Sequence, residues 1–273
     1  MTYELTGLDG KVAVVTGAGR MRSLGRSIAV ELARAGCDVV LTGTGRDPAT
    51  YPPDEQEAGW RDIEQVAEEI RALGRRALPV VSDVSDPGSV EALKQRVLGE
   101  FGRVDVLVNN AAAARGPDRV PVLDLDVDVW DRVIKVNLRA PFLMTRAFGR
   151  VMTQAGGGSI INISSIGGKL GGASSAAYGA SKAALQALTA STSKELGPAG
   201  VRVNALCPGV TGTSRLDDWD QQSQQDYVRS ALPLQRVGKP VEIAHAAVFL
   251  ASDQAAWVTG QAWNIDGGQL SVH

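Results

Sequence analysis

The chain has 273 residues, 44% of them hydrophobic, with 30 acidic and 28 basic side chains; that is enough apolar material for one large α/β core. The near balance of charge, with no long run of like charges, excludes the electrostatic footprint of a nucleic-acid or anionic-lipid binder. No window approaches the apolar length of a membrane span and no basic-then-apolar leader opens the sequence, so a cytoplasmic location is expected.

Strand-length runs rich in Val, Ile and Leu occur at Val12 to Thr16, Asp38 to Thr42, Ala77 to Ser82, Val104 to Asn109, Ser159 to Ser164, Val201 to Leu206 and Gln261 to Ile265. Helical patterns separate them at Ser23 to Ala35, Ile63 to Leu73, Ser89 to Phe101, Val129 to Met152, Tyr178 to Leu196 and Val241 to Leu250. Continuous rather than alternating hydrophobicity marks strands covered on both faces. The expected fold is therefore a single-domain, doubly wound α/β (Rossmann) architecture: a seven-stranded parallel sheet flanked by helices and spanning residues 1–273.

The first strand runs into Thr16-Gly17-Ala18-Gly19-Arg20-Met21-Arg22-Ser23-Leu24-Gly25, which opens a helix. A glycine-rich first βα turn lets the backbone approach a pyrophosphate, whose charge then meets free amides at a helix N-terminus. Gly17, Ser23 and Leu24 are the candidate contacts.

The second strand ends Thr42-Gly43-Thr44-Gly45-Arg46 with no carboxylate at its tip. An acid there would bind a ribose 2′-hydroxyl and repel a 2′-phosphate, so its absence favours NADP, with Thr44, Arg20, Arg22 and Arg46 as candidate partners. NAD is the alternative should Asp47 fold back onto the ribose. The segment Asp47 to Trp60, rich in proline and acid, is expected to be a solvated surface excursion without a role.

Tyr178-Gly179-Ala180-Ser181-Lys182 sets a phenol and an ammonium one helical turn apart on one face. An adjacent cation favours the phenolate and lowers a pKa that is ordinarily near 10. Ser165, ending the fifth strand, is placed to orient a carbonyl oxygen. With histidine confined to His245, in an apolar helical stretch, and His273, neither a metal site nor a Ser/His/Asp triad is expected. Buried, unpaired thiols are expected at Cys37 and Cys207. The polar segment from Thr213 to Arg236, about 213–236, follows the sixth strand at the ligand-binding edge and reads as a substrate lid.

Together these motifs, in this order, make the chain resemble the short-chain dehydrogenase/reductase family over Lys11 to Gly268. The stretch Ala247 to Gly268 and the Thr-Gly-Thr strand tip resemble its 3-oxoacyl carrier-protein reductase branch, which uses NADP. The resemblance adds Asp83-Val84, Asn109-Asn110-Ala111-Ala112, Asn137, Pro208-Gly209 and Asn264 to Gly268 to the motif set. It implies that Asp83 takes the adenine amino group and that Asn110 lies along the cofactor near its adenosine ribose. Lys182 would hold the nicotinamide ribose and acidify Tyr178, Asn137 would hold a relay water, and Thr211 and Thr213 would meet the carboxamide.

The sequence departs from the family twice. Five residues separate Gly17 from Ser23, so the turn is lengthened, and Ala112 replaces a glycine. The implied activity is hydride transfer between a nicotinamide cofactor and a small alcohol or ketone, including a 3-oxoacyl thioester. Enoyl reduction, which relatives perform with a wider Tyr-to-Lys spacing, and a noncatalytic dinucleotide-binding role are the alternatives. Arg115, Lys169 and Arg215 are candidate substrate anchors, and relatives imply a dimer or homotetramer.

Overall fold

The structure, a computed structural model, describes residues 5–271. The first part of the chain forms β1 (Val12–Val15), α1 (Leu24–Arg34), β2 (Asp38–Gly43), α2 (Pro53–Glu57), α3 (Asp62–Ala72), β3 (Ala77–Val81), α4 (Pro87–Phe101) and β4 (Val106–Asn109). Next come α5 (Val127–Ile134), a π-helical turn (Lys135–Arg139), α6 (Ala140–Ala155), β5 (Gly158–Ile163), α7 (Gly167–Leu170) and α8 (Ala176–Leu196). The chain continues through β6 (Val201–Pro208), α9 (Gln221–Ala231), α10 (Pro240–Ala251) and β7 (Ala262–Ile265).

The seven strands form one parallel sheet in the order β3-β2-β1-β4-β5-β6-β7, as the apolar runs imply. Alternate residues of each strand serve opposite helical layers, which is why the runs are continuously apolar. Ala13 and Val15 pack with Ile28 and Leu32 of α1 and Ala244 of α10, whereas Val12 and Val14 pack with Leu93 of α4 and Phe148 of α6. Burying each Val, Leu or Ile contributes about 1.5–3 kcal/mol. The chain leaves β3 at one edge and re-enters beside β1 as β4, so the carboxyl ends of β1 and β4 form the crevice where strand order reverses.

Two expectations change. The long helix expected from Val129 to Met152 is interrupted by the π turn, in which the Ala140 amide donates to the Lys135 carbonyl. Pro141 has no N–H to give the carbonyl four residues earlier, that of Asn137, so the regular ladder cannot close there. The second change is in Asp47 to Trp60, which is not a solvated excursion. It forms a 3-10 turn (Pro48–Thr50) and α2, and buries Tyr51, Glu55 and Trp60 at 7%, 1% and 9% exposure.

The segment from Thr213 to Arg236 folds as a 3-10 turn (Ser214–Leu216) followed by α9, whose Val228 is buried; Trp219 and Tyr227 meet edge to face at 5.2 Å. Cys37 and Cys207 are buried and unpaired, and burial pushes the Cys37 thiol up to about 12. His245 lies exposed on α10, 3.9 Å from Glu31, while His273 falls outside the described residues. Among the described residues no helix is long and apolar enough to cross a membrane.

Candidate active site

The glycine turn is clamped to the tip of β4. The amides of Asn110 and Ala111 donate to Thr16 Oγ1 at 2.9 and 3.0 Å, and Asn110 Nδ2 donates to the Thr16 and Gly17 carbonyls at 2.8 and 3.0 Å. Gly17 has φ +66°, and a Cβ there would stand 2.8 Å from Ala111 Cα, so only glycine permits this approach. Ser23 caps α1 by accepting from the Arg26 amide at 3.1 Å, which leaves Leu24 at the head of the first turn, where amides lack intrahelical partners.

The lengthened turn and the inserted segment form one structural unit. Extra residues in a turn create backbone groups with no ladder partner, and the insertion supplies partners for two of them. Glu55 Oε1 accepts from the Met21 amide at 2.8 Å, and Trp60 Nε1 donates to the Gly19 carbonyl at 2.6 Å. Sequence reasoning missed both residues; the available signal was Tyr51 and Trp60, two large apolar rings in an otherwise polar stretch.

Two of the three arginines expected to receive a phosphate, Arg22 and Arg46, are paired with carboxylates. Arg22 donates to Asp54 at 2.6 Å and makes two bonds to Asp217 at 2.8 and 2.6 Å. Arg46 bridges Glu55 and Asp62, each at 3.1 Å, and lies 4.4 Å over the Tyr51 ring. Arg20 is half-buried and donates to Ser214 Oγ at 3.5 Å. Asp47 caps its own 3-10 turn through the Ala49 amide, so it is committed locally. Thr44 is exposed just beyond β2.

Asp83 is exposed and accepts from the Ser85 amide and hydroxyl through Oδ1, an Asx turn, while Val84 is buried against α4. Pro208 ends β6, Thr211 Oγ1 donates to the Gly209 carbonyl at 3.2 Å, and Thr213 caps the following turn through the Arg215 amide.

Tyr178 and Lys182 share one face of α8 as expected. Lys182 is 3% exposed, its Nζ donates to the Ile163 carbonyl at 2.7 Å, and it lies 5.8 Å from the centre of the Tyr178 ring. Two guanidinium groups flank the same ring, Arg119 at 4.4 Å and Arg215 at 5.7 Å. Burial of the phenol opposes its ionisation, but Lys182, Arg215, the Ser165 hydroxyl and Arg119 together outweigh burial and hold the Tyr178 pKa below its ordinary value. Burial likewise depresses the Lys182 ammonium, opposed by the Tyr178 phenolate.

Ser165 Oγ accepts from the Gly167 amide at 3.0 Å, and a Cβ on Gly167 would touch both Ser165 Oγ and Tyr178 Cε1 at 3.4 Å, so hydroxyl and ring face one small space. Ser164 turns the other way, donating to the Lys182 carbonyl. Asn137 is buried in the π turn, accepting from the Ala113 amide at 2.8 Å and donating to Ser181 Oγ at 3.1 Å. It thus braces the loop after β4 against α8.

A cleft of about 270 Å³ opens beside Ser165, walled by Leu170, Val210, Trp219 and Tyr227. Of the expected anchors, Lys169 is taken up by the Ala262 carbonyl and Asn264 Oδ1 at 2.7 and 2.6 Å, and Arg115 donates to the Arg215 carbonyl. Only Arg215 reaches the phenol. Arg119, which pairs with Asp118 at 3.6 Å, was not singled out from the sequence, because nothing in a loop of this composition says which charge folds inward.

A family profile described as "Enoyl-(Acyl carrier protein) reductase" matches residues 17–269. The chain is 38% identical to the L-rhamnose 1-dehydrogenase (NAD(P)(+)) of Sphingomonas sp. (strain SKA58), over 96% of each sequence. It is 36% identical to the 3-oxoacyl-[acyl-carrier-protein] reductase of Synechocystis sp., over 97% of this chain and 99% of that one. Among solved structures it superposes with a TM-score of 0.84 and 31% identity on a 7 alpha-hydroxysteroid dehydrogenase complexed with NADH and 7-oxo glycochenodeoxycholic acid, covering 96% of this chain and 94% of that one. With its order of strands, glycine turn and Ser165-Tyr178-Lys182 group, the chain belongs to the short-chain dehydrogenase/reductase family of nicotinamide-dependent oxidoreductases.

Proposed function

We propose that this chain interconverts a secondary alcohol and a ketone with a nicotinamide dinucleotide, and that Tyr178 is its general acid and base. The observation that carries the reading is the Tyr178 phenol, ringed by Lys182, Arg119 and Arg215 and facing the same space as Ser165 at the carboxyl edge of the sheet.

The residues present fit a dinucleotide. Gly17 admits no side chain, the first amides of α1 lie behind Ser23, and Asp62 Oδ1 and Arg46 Nη2 near the turn are buried without partners. In this reading Gly17, Ser23 and Leu24 hold the pyrophosphate, Asp83 and Val84 border the adenine, and Asn110 and Ala111 set the crevice wall. Pro208, Gly209, Thr211 and Thr213 border the carboxamide, and Lys182 holds the ribose hydroxyls.

When bound, the nicotinamide supplies the hydride in reduction and accepts it in oxidation. In reduction, as the substrate carbon gains the hydride, the C=O π pair moves onto the oxygen. Ser165 donates a hydrogen bond to that oxygen and Tyr178 gives it the phenolic proton; in oxidation the Tyr178 phenolate takes the proton back. Lys182 stabilises the phenolate, Asn137 fixes the surrounding loop and helix for a water relay, and the 213–236 segment closes over the substrate. Arg119, which pairs with Asp118, and Arg215, bonded to the Ala113 carbonyl, place positive charge around the phenol, where a keto acid would meet it.

The test is consumption of NADH and NADPH against a panel pairing neutral ketones with keto acids, a 3-oxoacyl thioester and a conjugated enone. Turnover of ketones or 3-oxo compounds is expected. Reduction of the enone alone, or of nothing, contradicts the reading.

A further inference from the structure

The tip of β2 carries no acid of its own, yet a carboxylate stands there. A Cβ built on Gly43 would lie 3.0 Å from Oδ1 of Asp62, and a Cβ on Gly19 would lie 1.3 Å from the same oxygen. Asp62 is therefore wedged between the strand tip and the glycine turn, in the space that side chains of either element would otherwise enter. It begins α3, directly after the inserted segment. Its φ of +53° is a left-handed conformation that aspartate tolerates, and it directs the carboxylate back over the turn.

Asp62 is 8% exposed; its Oδ2 accepts from Arg46 Nε at 3.1 Å, and the Tyr51 hydroxyl lies against the same carboxylate. Its Oδ1 is buried without a partner, and so is Arg46 Nη2. A buried acceptor and a buried donor on two residues already bonded to each other both require partners, and a ribose diol supplies both: one hydroxyl donates, another accepts.

We propose that Asp62, placed by the inserted segment, together with Arg46 reads the adenosine ribose hydroxyls and makes this chain selective for NAD over NADP. A 2′-phosphate at that place would meet the carboxylates of Asp62 and Glu55, both already bonded to Arg46, and would have to break that pairing. Of the turn's own arginines, Arg20 is directed to Ser214 and Arg22 is paired with Asp54 and Asp217. The bare strand tip by itself favours NADP; the carboxylate brought in from another element reverses that preference.

The proposal depends on the oxidoreductase reading only for the class of ligand, a dinucleotide. The test is a fluorescence titration of NADH and NADPH, without substrate, against the full chain and Asp62→Asn, a near-isosteric change whose residue also tolerates positive φ. The wild-type chain is expected to bind NADH at least about ten-fold more tightly than NADPH, and Asp62→Asn to weaken NADH binding about ten-fold while leaving NADPH binding unchanged or tighter. Wild-type affinity for NADPH equal to or above that for NADH overturns the proposal, even if the variant does not fold. So does an unchanged ratio in a folded Asp62→Asn. Binding of neither dinucleotide would instead strike the oxidoreductase reading itself.

Discussion

Lys182 is anchored on the Ile163 carbonyl and holds its ammonium 5.8 Å from the centre of the Tyr178 ring. The anchor comes from β5, so the sheet fixes the lysine and α8 fixes its distance to the phenol. Such preorganisation makes the cation's effect on the phenol permanent rather than dependent on a mobile side chain.

On the proposed role of Tyr178, the cations around it set the pH dependence of alcohol oxidation. The phenolate is the base, so the rate rises with pH to a plateau above the Tyr178 pKa. Removing a cation disfavours the phenolate, raises that pKa and moves the rising limb to higher pH, so that oxidation at a fixed pH on the limb slows. Lys182→Met should move the limb furthest, followed by Arg215→Met and then Arg119→Met, the order in which these groups act on the phenol. The measurement is kcat/KM for oxidation across pH, and a limb that stays in place in Arg215→Met would remove that residue from the account.

The insertion is expected to support the turn energetically. Trp60→Phe keeps most of the ring but deletes the N–H that satisfies the Gly19 carbonyl, and should cost about 1–3 kcal/mol of stability; Trp60→Ala should cost about 3–5 kcal/mol. Thermal or denaturant unfolding measures both. Losses near zero would mean that the segment merely lies on the surface.

Gly19 and Asp62 should be energetically coupled. Gly19→Ala alone drives a methyl into the Asp62 carboxylate and is expected to be strongly destabilising, whereas in an Asp62→Gly background the same change should cost at least about 1 kcal/mol less. A double-mutant cycle of unfolding free energies checks this. Additive values would contradict the close approach.

Arg22 and Asp217 link the glycine turn to the segment whose Trp219 and Tyr227 wall the cleft, aided by the Ser214 amide donating to the Arg22 carbonyl at 3.0 Å. The pair is exposed, so Asp217→Asn should change stability by less than about 1 kcal/mol. On the proposed closing role of the 213–236 segment, its expected effect is several-fold faster dinucleotide release, read by stopped-flow displacement, because the segment is no longer tied to the turn. An unchanged release rate would show that the pair is only a surface contact.

The strands, the glycine turn and the Ser165-Tyr178-Lys182 group were legible in the sequence because each depends on local chemistry: apolar runs, a turn requiring glycine, and a helical spacing of four. What was not legible arises from contacts between distant segments. Glu55, Trp60 and Asp62 take up their positions only when the insertion folds back on residues 19–21, and two of the arginines read as phosphate partners, Arg22 and Arg46, found carboxylates there. The π turn at Asn137 had a sequence signal in Pro141, which a continuous apolar periodicity obscured.

The most direct test of the central claim is Tyr178→Phe, which removes one hydroxyl from a ring that Arg119 and Arg215 continue to flank. Measured side by side, carbonyl reduction should fall by about 10²–10⁴-fold or more, while the affinity for reduced dinucleotide stays close to that of the wild type. Retention of full turnover by this variant would contradict the assignment of Tyr178 as the proton donor and acceptor.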